Sequence, residues 1–217
     1  MEVLSEIFVI LLAGRGFFRY NKITITSWSM QMNFFKENSS MITRLIITHI
    51  GMAAFGAVMF LSTNQKGDGM MLAASIFSAI FYAIIVYCTM WEYGGKDKPA
   101  IDAGRMQCKS SRGFLVSLTA ESIAILLVIL FLVCSFMKDN NTIAAEIYGS
   151  SYIILTLLDS CFTGIVIFLR HKMDSAVLIA LIYLLGSVVI SVASMLGYLA
   201  GTKNIRIIPQ KSYTNKK

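Results

Sequence analysis

The stretch SAVLIALIYLLGSVVISVASMLGYLA, residues 175–200, contains no charged residue. A helix of that length, rising 1.5 Å per residue, crosses the ~30 Å hydrocarbon core of a bilayer. In lipid every backbone N–H and C=O needs a partner within its own segment or in a closed barrel, and barrel strands need only ~10 alternating residues. The run therefore reads as a transmembrane helix. Working back along the chain, the same reading applies to residues 142–169, interrupted by Glu146 and Asp159, and to 113–137, interrupted by Glu121. It applies also to 70–91 and 45–62, which carry no charge. The expected fold is all-α, a polytopic integral membrane bundle of five transmembrane helices at 45–62, 70–91, 113–137, 142–169 and 175–200. It divides into an N-terminal cytosolic or interfacial segment (1–44), the bundle (45–200) and a basic tail (201–217).

The whole chain agrees. Of its 217 residues 56% are hydrophobic and 14% charged, against roughly 25% charged in soluble domains, and mean hydropathy is +0.69. Two prolines and four cysteines exclude a collagen-like, disordered or disulfide-framed chain. Residues 3–13 are apolar but short, and Glu2 and Glu6 stand where a secretory signal would carry basic residues. That segment reads as a short interfacial helix, with a sixth span as the rival reading and a translation start at Met30 or Met32 as a third.

Orientation follows from the Lys and Arg of the connections. Residues 1–44, the 92–112 loop and the 170–174 loop carry twelve of the 19, and this places them in the cytoplasm. The tail conflicts with that placement. Five spans put it outside, yet it carries Lys203, Arg206, Lys211, Lys216 and Lys217. Either the tail is an exception, which the overall count favours, or the fourth or fifth span turns back on itself.

Polar residues recur at helical spacing inside the spans. Tyr152, Thr156, Asp159 and Thr163 share one face, as do Tyr183, Ser187, Ser191, Ser194 and Tyr198, and Ser75, Ser78 and Tyr82. Such faces serve helix packing, at about 0.6 kcal/mol per hydrogen bond, or line a polar pathway. Glu121 lies roughly 12 Å into its span and Asp159 roughly 15 Å from the end of its own, so both are expected near mid-membrane. An ionised carboxylate there costs about 2.5–3.5 kcal/mol on insertion scales, and such residues normally face the bundle interior. His49 is the intramembrane base available to them. The candidate intramembrane polar site is thus Glu121, Asp159, His49, Thr156, Ser187 and Ser191. A second candidate is a cytosolic docking loop carrying Trp91, Gly94, Lys96, Asp97 and Arg105, whose paired glycines permit a tight turn.

Enzymatic signals are absent. There is no Walker-type GxxxxGK[ST], no CxxC and no GxSxG, and the histidines are His49 and His171 alone. No catalytic residue, metal ligand set or cofactor is expected. Nucleic-acid binding is not expected either, because the basic residues sit at membrane edges where anionic lipid attracts them.

The lead-in Asn33-Phe34-Phe35-Lys36-Glu37-Asn38-Ser39 and the Trp-x-x-Gly-x-Lys-Asp pattern at Trp91, Gly94, Lys96 and Asp97, with Gly104 and Arg105 beyond, resemble small uncharacterised polytopic membrane proteins of Gram-positive bacteria. The resemblance covers about residues 32–112. It implies a bacterial plasma-membrane protein and a start near Met32, and supplies no activity. Ala53-x-x-x-Ala57 also looks like the docking motif of the substrate-binding subunits of vitamin importers. The function expected is a small transporter or permease-type protein, or a membrane subunit, with an intramembrane carboxylate site. The alternative is a non-enzymatic scaffold or regulator acting through the 92–112 loop. Expected partners are the lipid bilayer and either other membrane subunits or a cytosolic protein.

Overall fold

The computed structural model describes residues 34–139, 141–171 and 175–205. The expectations for the N-terminal helix, for a start at Met30 or Met32 and for most of the basic tail lie outside these. The described residues form seven helices and no strand: α1 Phe34–Thr63, α2 Asp68–Asp102, α3 Arg112–Ala120, α4 Ser122–Met137, α5 Thr142–Leu158, α6 Ser160–Arg170 and α7 Ala176–Thr202.

Among them α1, α2 and α7 are long and apolar enough to cross a membrane, and α3 with α4 makes a fourth if the bent pair is one span. Their outer faces expose large apolar side chains, among them Ile50 and Leu61 on α1, Ile80 and Ile84 on α2, and Leu185 and Val189 on α7. A water-soluble monomer rarely carries so much contiguous apolar surface, whereas a bilayer accepts it.

Two of the five expected spans are broken, each at its carboxylate. Residues 113–137 divide at Glu121, where α3 ends and α4 departs at 58°. Residues 142–169 divide at Asp159 into two helices of 17 and 11 residues. Straight helix would hold Tyr152 and Arg170 about 27 Å apart. Instead the Arg170 guanidinium carbon stands 5.3 Å from the centroid of the Tyr152 ring, and the Thr163 hydroxyl donates to the Thr156 carbonyl at 3.0 Å. Therefore α5 and α6 fold back on each other with Asp159 at the tip. Hydropathy does not register such a bend, because both arms are apolar.

Backbone groups freed at the tip find partners on neighbouring helices. The Ser75 hydroxyl of α2 donates to the Cys161 carbonyl at 2.6 Å, and the Ser160 hydroxyl donates to the Ala53 carbonyl of α1. The Asp159 N–H is kept by Leu155 at 2.8 Å, and its carbonyl accepts from Phe162 at 2.9 Å. Gly56 packs directly on Ser160 and Cys161. The small-residue face that looked like an importer docking motif is thus covered by α6.

The pairings give each helix its direction. Arg44 meets Glu92 and Phe55 meets Phe81, so α1 and α2 run antiparallel. Gly164 abuts the Met71 carbonyl and His171 Nδ1 lies 3.0 Å from Asp68, so α6 runs against α2 toward its start. Gly197 abuts the Tyr87 carbonyl and Gly201 that of Trp91, so α7 runs parallel to α2. Both of these helices close with the same left-handed cap. Gly104 (φ 69°) follows α2 and Asn204 (φ 54°) follows α7, and in each case the next residue's N–H returns to a carbonyl five positions back at 2.9 Å.

Two expectations change as a result. The 92–112 segment is not one loop: α2 continues through Asp102, about 52 Å in all, and the connection is residues 103–111. The connection after α6, grouped by charge with the 92–112 loop, lies at the opposite end of the bundle from it. The end of α7, by contrast, sits beside the end of α2.

Candidate intramembrane polar site

The two helix breaks bring the carboxyls together. Glu121, between α3 and α4, and Asp159, between α5 and α6, are 3% and 6% exposed. They lie within electrostatic reach of each other and of Tyr82 on α2. His49 of α1 completes the group. Its Nδ1 shares a 2.8 Å hydrogen bond with the Tyr82 hydroxyl, while its Nε2 stands 3.7 Å from Asp159 Oδ1, too far for a hydrogen bond but close enough for an ion pair.

The opposite wall is α7. Ser187 and, on α3, Ser117 approach the Glu121 carboxyl closely enough to act on it, yet neither makes a hydrogen bond of proper geometry to either oxygen. One turn from Ser187, Ser191 is wholly buried and its hydroxyl has no partner. Tyr183, one turn the other way, is 1% exposed; its hydroxyl comes close to the Thr163 and Thr156 side chains without a hydrogen bond of proper geometry, and it lies in electrostatic reach of Asp159.

Among the described residues, the buried side-chain atoms left without a hydrogen bond are His49 Nε2, both Glu121 oxygens, Asp159 Oδ2, the Tyr183 hydroxyl and the Ser191 hydroxyl. All but the Ser191 hydroxyl belong to residues linked above, and Ser191 follows Ser187 by one turn of α7. Buried polar groups in folded proteins are almost always paired, and leaving one unpaired costs about 1–3 kcal/mol. Such a concentration of unpaired polar atoms is a local cost in stability.

No family model, curated protein or solved structure matches the chain.

The site residues read from sequence fall into two classes. Glu121, Asp159, His49 and Ser187 converge as described, and Ser191 is buried one turn along α7 from Ser187. Thr156 stands at their edge: its hydroxyl donates to the Tyr152 carbonyl at 2.8 Å and comes close to the Tyr183 hydroxyl, and its own carbonyl secures the α5–α6 bend. Sequence reasoning missed Tyr82 and Tyr183 as members. Each was visible as the aromatic end of a polar stripe, but nothing in the spacing showed which interior atoms it would meet.

The proposed docking loop looks different in three dimensions. Gly94 is buried with α7 backbone against it, and the Trp91 indole N–H donates to the Ile205 carbonyl at 2.7 Å. The Asp97 carboxylate accepts from Arg112 at 2.9 Å and from the Tyr198 hydroxyl at 2.8 Å, tying the end of α2 to the starts of α3 and the end of α7. Lys96 pairs with Glu92 at 2.8 Å. Arg105 is exposed. Most of this set is engaged in holding the bundle's end together.

Proposed function

We propose that the chain is a small transport-type membrane protein, or the membrane subunit of a transport system, whose working site is the Glu121–Asp159–His49 group. The observation that carries this reading is that both mid-bundle carboxyls sit at helix breaks with unpartnered oxygens. Transporters place substrate and ion sites at discontinuous helices near the bilayer midplane, and irregular backbone at that depth is otherwise too costly to keep.

In this reading α1, α2, the α3–α4 pair and α7 cross the plasma membrane, and α5–α6 is a re-entrant hairpin that enters from the outer face. The N-terminal region, the 103–111 connection and the tail are cytoplasmic. Fifteen of the 19 Lys and Arg then lie inside, so the basic tail ceases to be an exception. Cys108 should be alkylated by a membrane-impermeant maleimide only after permeabilisation, whereas a cysteine introduced by His171→Cys should react in intact cells. Labelling of both from one side would refute the hairpin.

The site itself is tested by reconstitution into proteoliposomes on a solid-supported membrane, recording currents after concentration jumps of ions and small solutes. Asp159→Asn and Glu121→Gln should each abolish the wild-type response, a loss of at least about 100-fold, with unchanged protein in the bilayer. Wild-type currents in both variants would end the proposal.

A further inference from the structure

We infer that the ion this site exchanges is the proton: His49 and Asp159 hold one exchangeable proton between them, and Tyr82 orients the imidazole that carries it. This deepens the preceding reading, and rests on it only in placing the group inside a membrane protein. The argument begins with the two nitrogens of His49. Nδ1 shares a 2.8 Å hydrogen bond with Tyr82 across the α1–α2 contact, with the ring centroids 5.8 Å apart, so the imidazole is fixed from one side. Nε2 is buried without a hydrogen bond and faces Asp159 Oδ1 at 3.7 Å. A histidine oriented through one nitrogen and free to work through the other is the arrangement of a proton carrier.

The protons balance on these residues alone. With the proton aboard, the pair is an imidazolium beside a carboxylate or a neutral imidazole beside a carboxylic acid. The two forms interconvert as the Nε2–H bond breaks, its electron pair staying on nitrogen, and an O–H bond forms on Asp159. In both, Nδ1–H donates to the Tyr82 oxygen, and neither carries net charge. Release of the proton leaves a neutral imidazole beside a carboxylate. The Tyr82 hydroxyl then donates to Nδ1, which keeps the remaining imidazole proton on Nε2, facing Asp159.

The open gap separates this pair from a structural one. Charge-assisted N–H···O bonds run about 2.7–2.9 Å, and Nε2 and Oδ1 stand about 1 Å beyond that. Side-chain rotation closes the gap, so the link to Asp159 is made and broken while the bond to Tyr82 holds. Tyr82 from α2, Glu121 from the α3–α4 break, Cys161 from α6 and Tyr183 from α7 face the group, with Tyr152 of α5 beside Tyr183 and under the Arg170 guanidinium. The four that face it ionise, when they do, to anions. His49 is therefore the base among them, and Glu121 adds to the negative potential that a proton relieves.

The experiment follows the C=O stretch of protonated carboxyls by infrared difference spectroscopy on the purified full-length protein in liposomes, stepped across about pH 4 to 9. Nitrogen-15 histidine magnetic resonance on the same samples reports His49, whose signal is identified by its loss in His49→Gln. Wild-type protein should show a titrating carboxyl band that is missing from Asp159→Asn. His49→Gln should displace the midpoint of that band by about one pH unit or more, and Asp159→Asn should displace the His49 midpoint as far. Tyr82→Phe keeps the ring and removes the hydroxyl, and should change the tautomer ratio of neutral His49. Glu146→Gln, exposed on α5, should leave the Asp159 band and the His49 signal unchanged. The inference is overturned if no Asp159 band titrates in wild-type protein, if either midpoint is indifferent to loss of the partner, or if Tyr82→Phe leaves the tautomers as they were. Coupled titration without any flux in proteoliposomes would instead remove the transport reading and leave the proton site standing. Solute currents indifferent to pH, with no coupled titration, would do the reverse.

Discussion

Leucine in place of Gly201 or Gly197 is expected to prevent α2 and α7 from packing and to leave little monodisperse protein after extraction. A Cβ at Gly201 meets the Trp91 carbonyl, the Gly95 nitrogen and the Gly94 Cα, and one at Gly197 meets the Tyr87 backbone. These are backbone atoms of a packed helix, so no flexible side chain can yield. Overpacking usually costs about 1–3 kcal/mol, and the larger figure applies where the backbone itself must move. The Gly197-x-x-x-Gly201 spacing is that of a small-residue interface by which membrane helices approach closely. Leucine at Gly51, whose Cβ position has nothing within 4 Å, is the control and should behave as wild type. Fluorescence size-exclusion profiles and unfolding midpoints give the comparison. Normal profiles for both interface variants would mean that α2 and α7 do not meet along this seam.

Glu121→Met should do the opposite to stability and is expected to raise the unfolding midpoint while eliminating transport. Both Glu121 oxygens are buried and without hydrogen bonds, so the folded state gains about 1–3 kcal/mol when they are replaced by an apolar side chain of similar length. A structural carboxyl would give the contrary result, since removing a satisfied hydrogen-bonding group destabilises. The sign of the shift therefore separates a packing role for Glu121 from a functional one, independently of any transport assay. A midpoint lowered by a comparable amount would assign Glu121 to the architecture.

Much of this arrangement is legible in the residues. The uncharged runs at 45–62, 70–91 and 175–200 fall within α1, α2 and α7, because an apolar run of that length leaves lipid-exposed backbone no other conformation. The interior stripe from Tyr183 to Tyr198 is also buried as its spacing predicts. The breaks at Glu121 and Asp159 were not legible as breaks, since neither proline nor glycine marks them, and a carboxylate within an apolar run reads the same in a straight helix as in a bent one. In the proposed topology one sequence signal bears on the α5–α6 hairpin. The five basic residues of the tail conflicted with an odd number of crossings, and a segment turning back on itself was the less favoured way out. The 92–112 region misled for the reverse reason. Its charges and paired glycines resemble a loop, but Gly94 is a contact surface for α7, and Glu92 with Lys96 forms an i,i+4 pair along a continuing helix.

The fold-back at Asp159 also constrains how the protein is made. At 17 and 11 residues neither arm of the α5–α6 hairpin reaches the length of a membrane span, and the Cys161 carbonyl at its tip depends on the Ser75 hydroxyl while Ser160 and Cys161 pack on α1. A nascent chain that released this segment into lipid alone would have no partners for those groups. Membrane insertion must therefore be ordered, with α1 and α2 assembled first as a receiving cleft and the hairpin seated afterwards. Damage to the Ser75 or Gly56 side of that cleft should then appear first as a defect of biogenesis, in newly made chains that quality-control proteases remove.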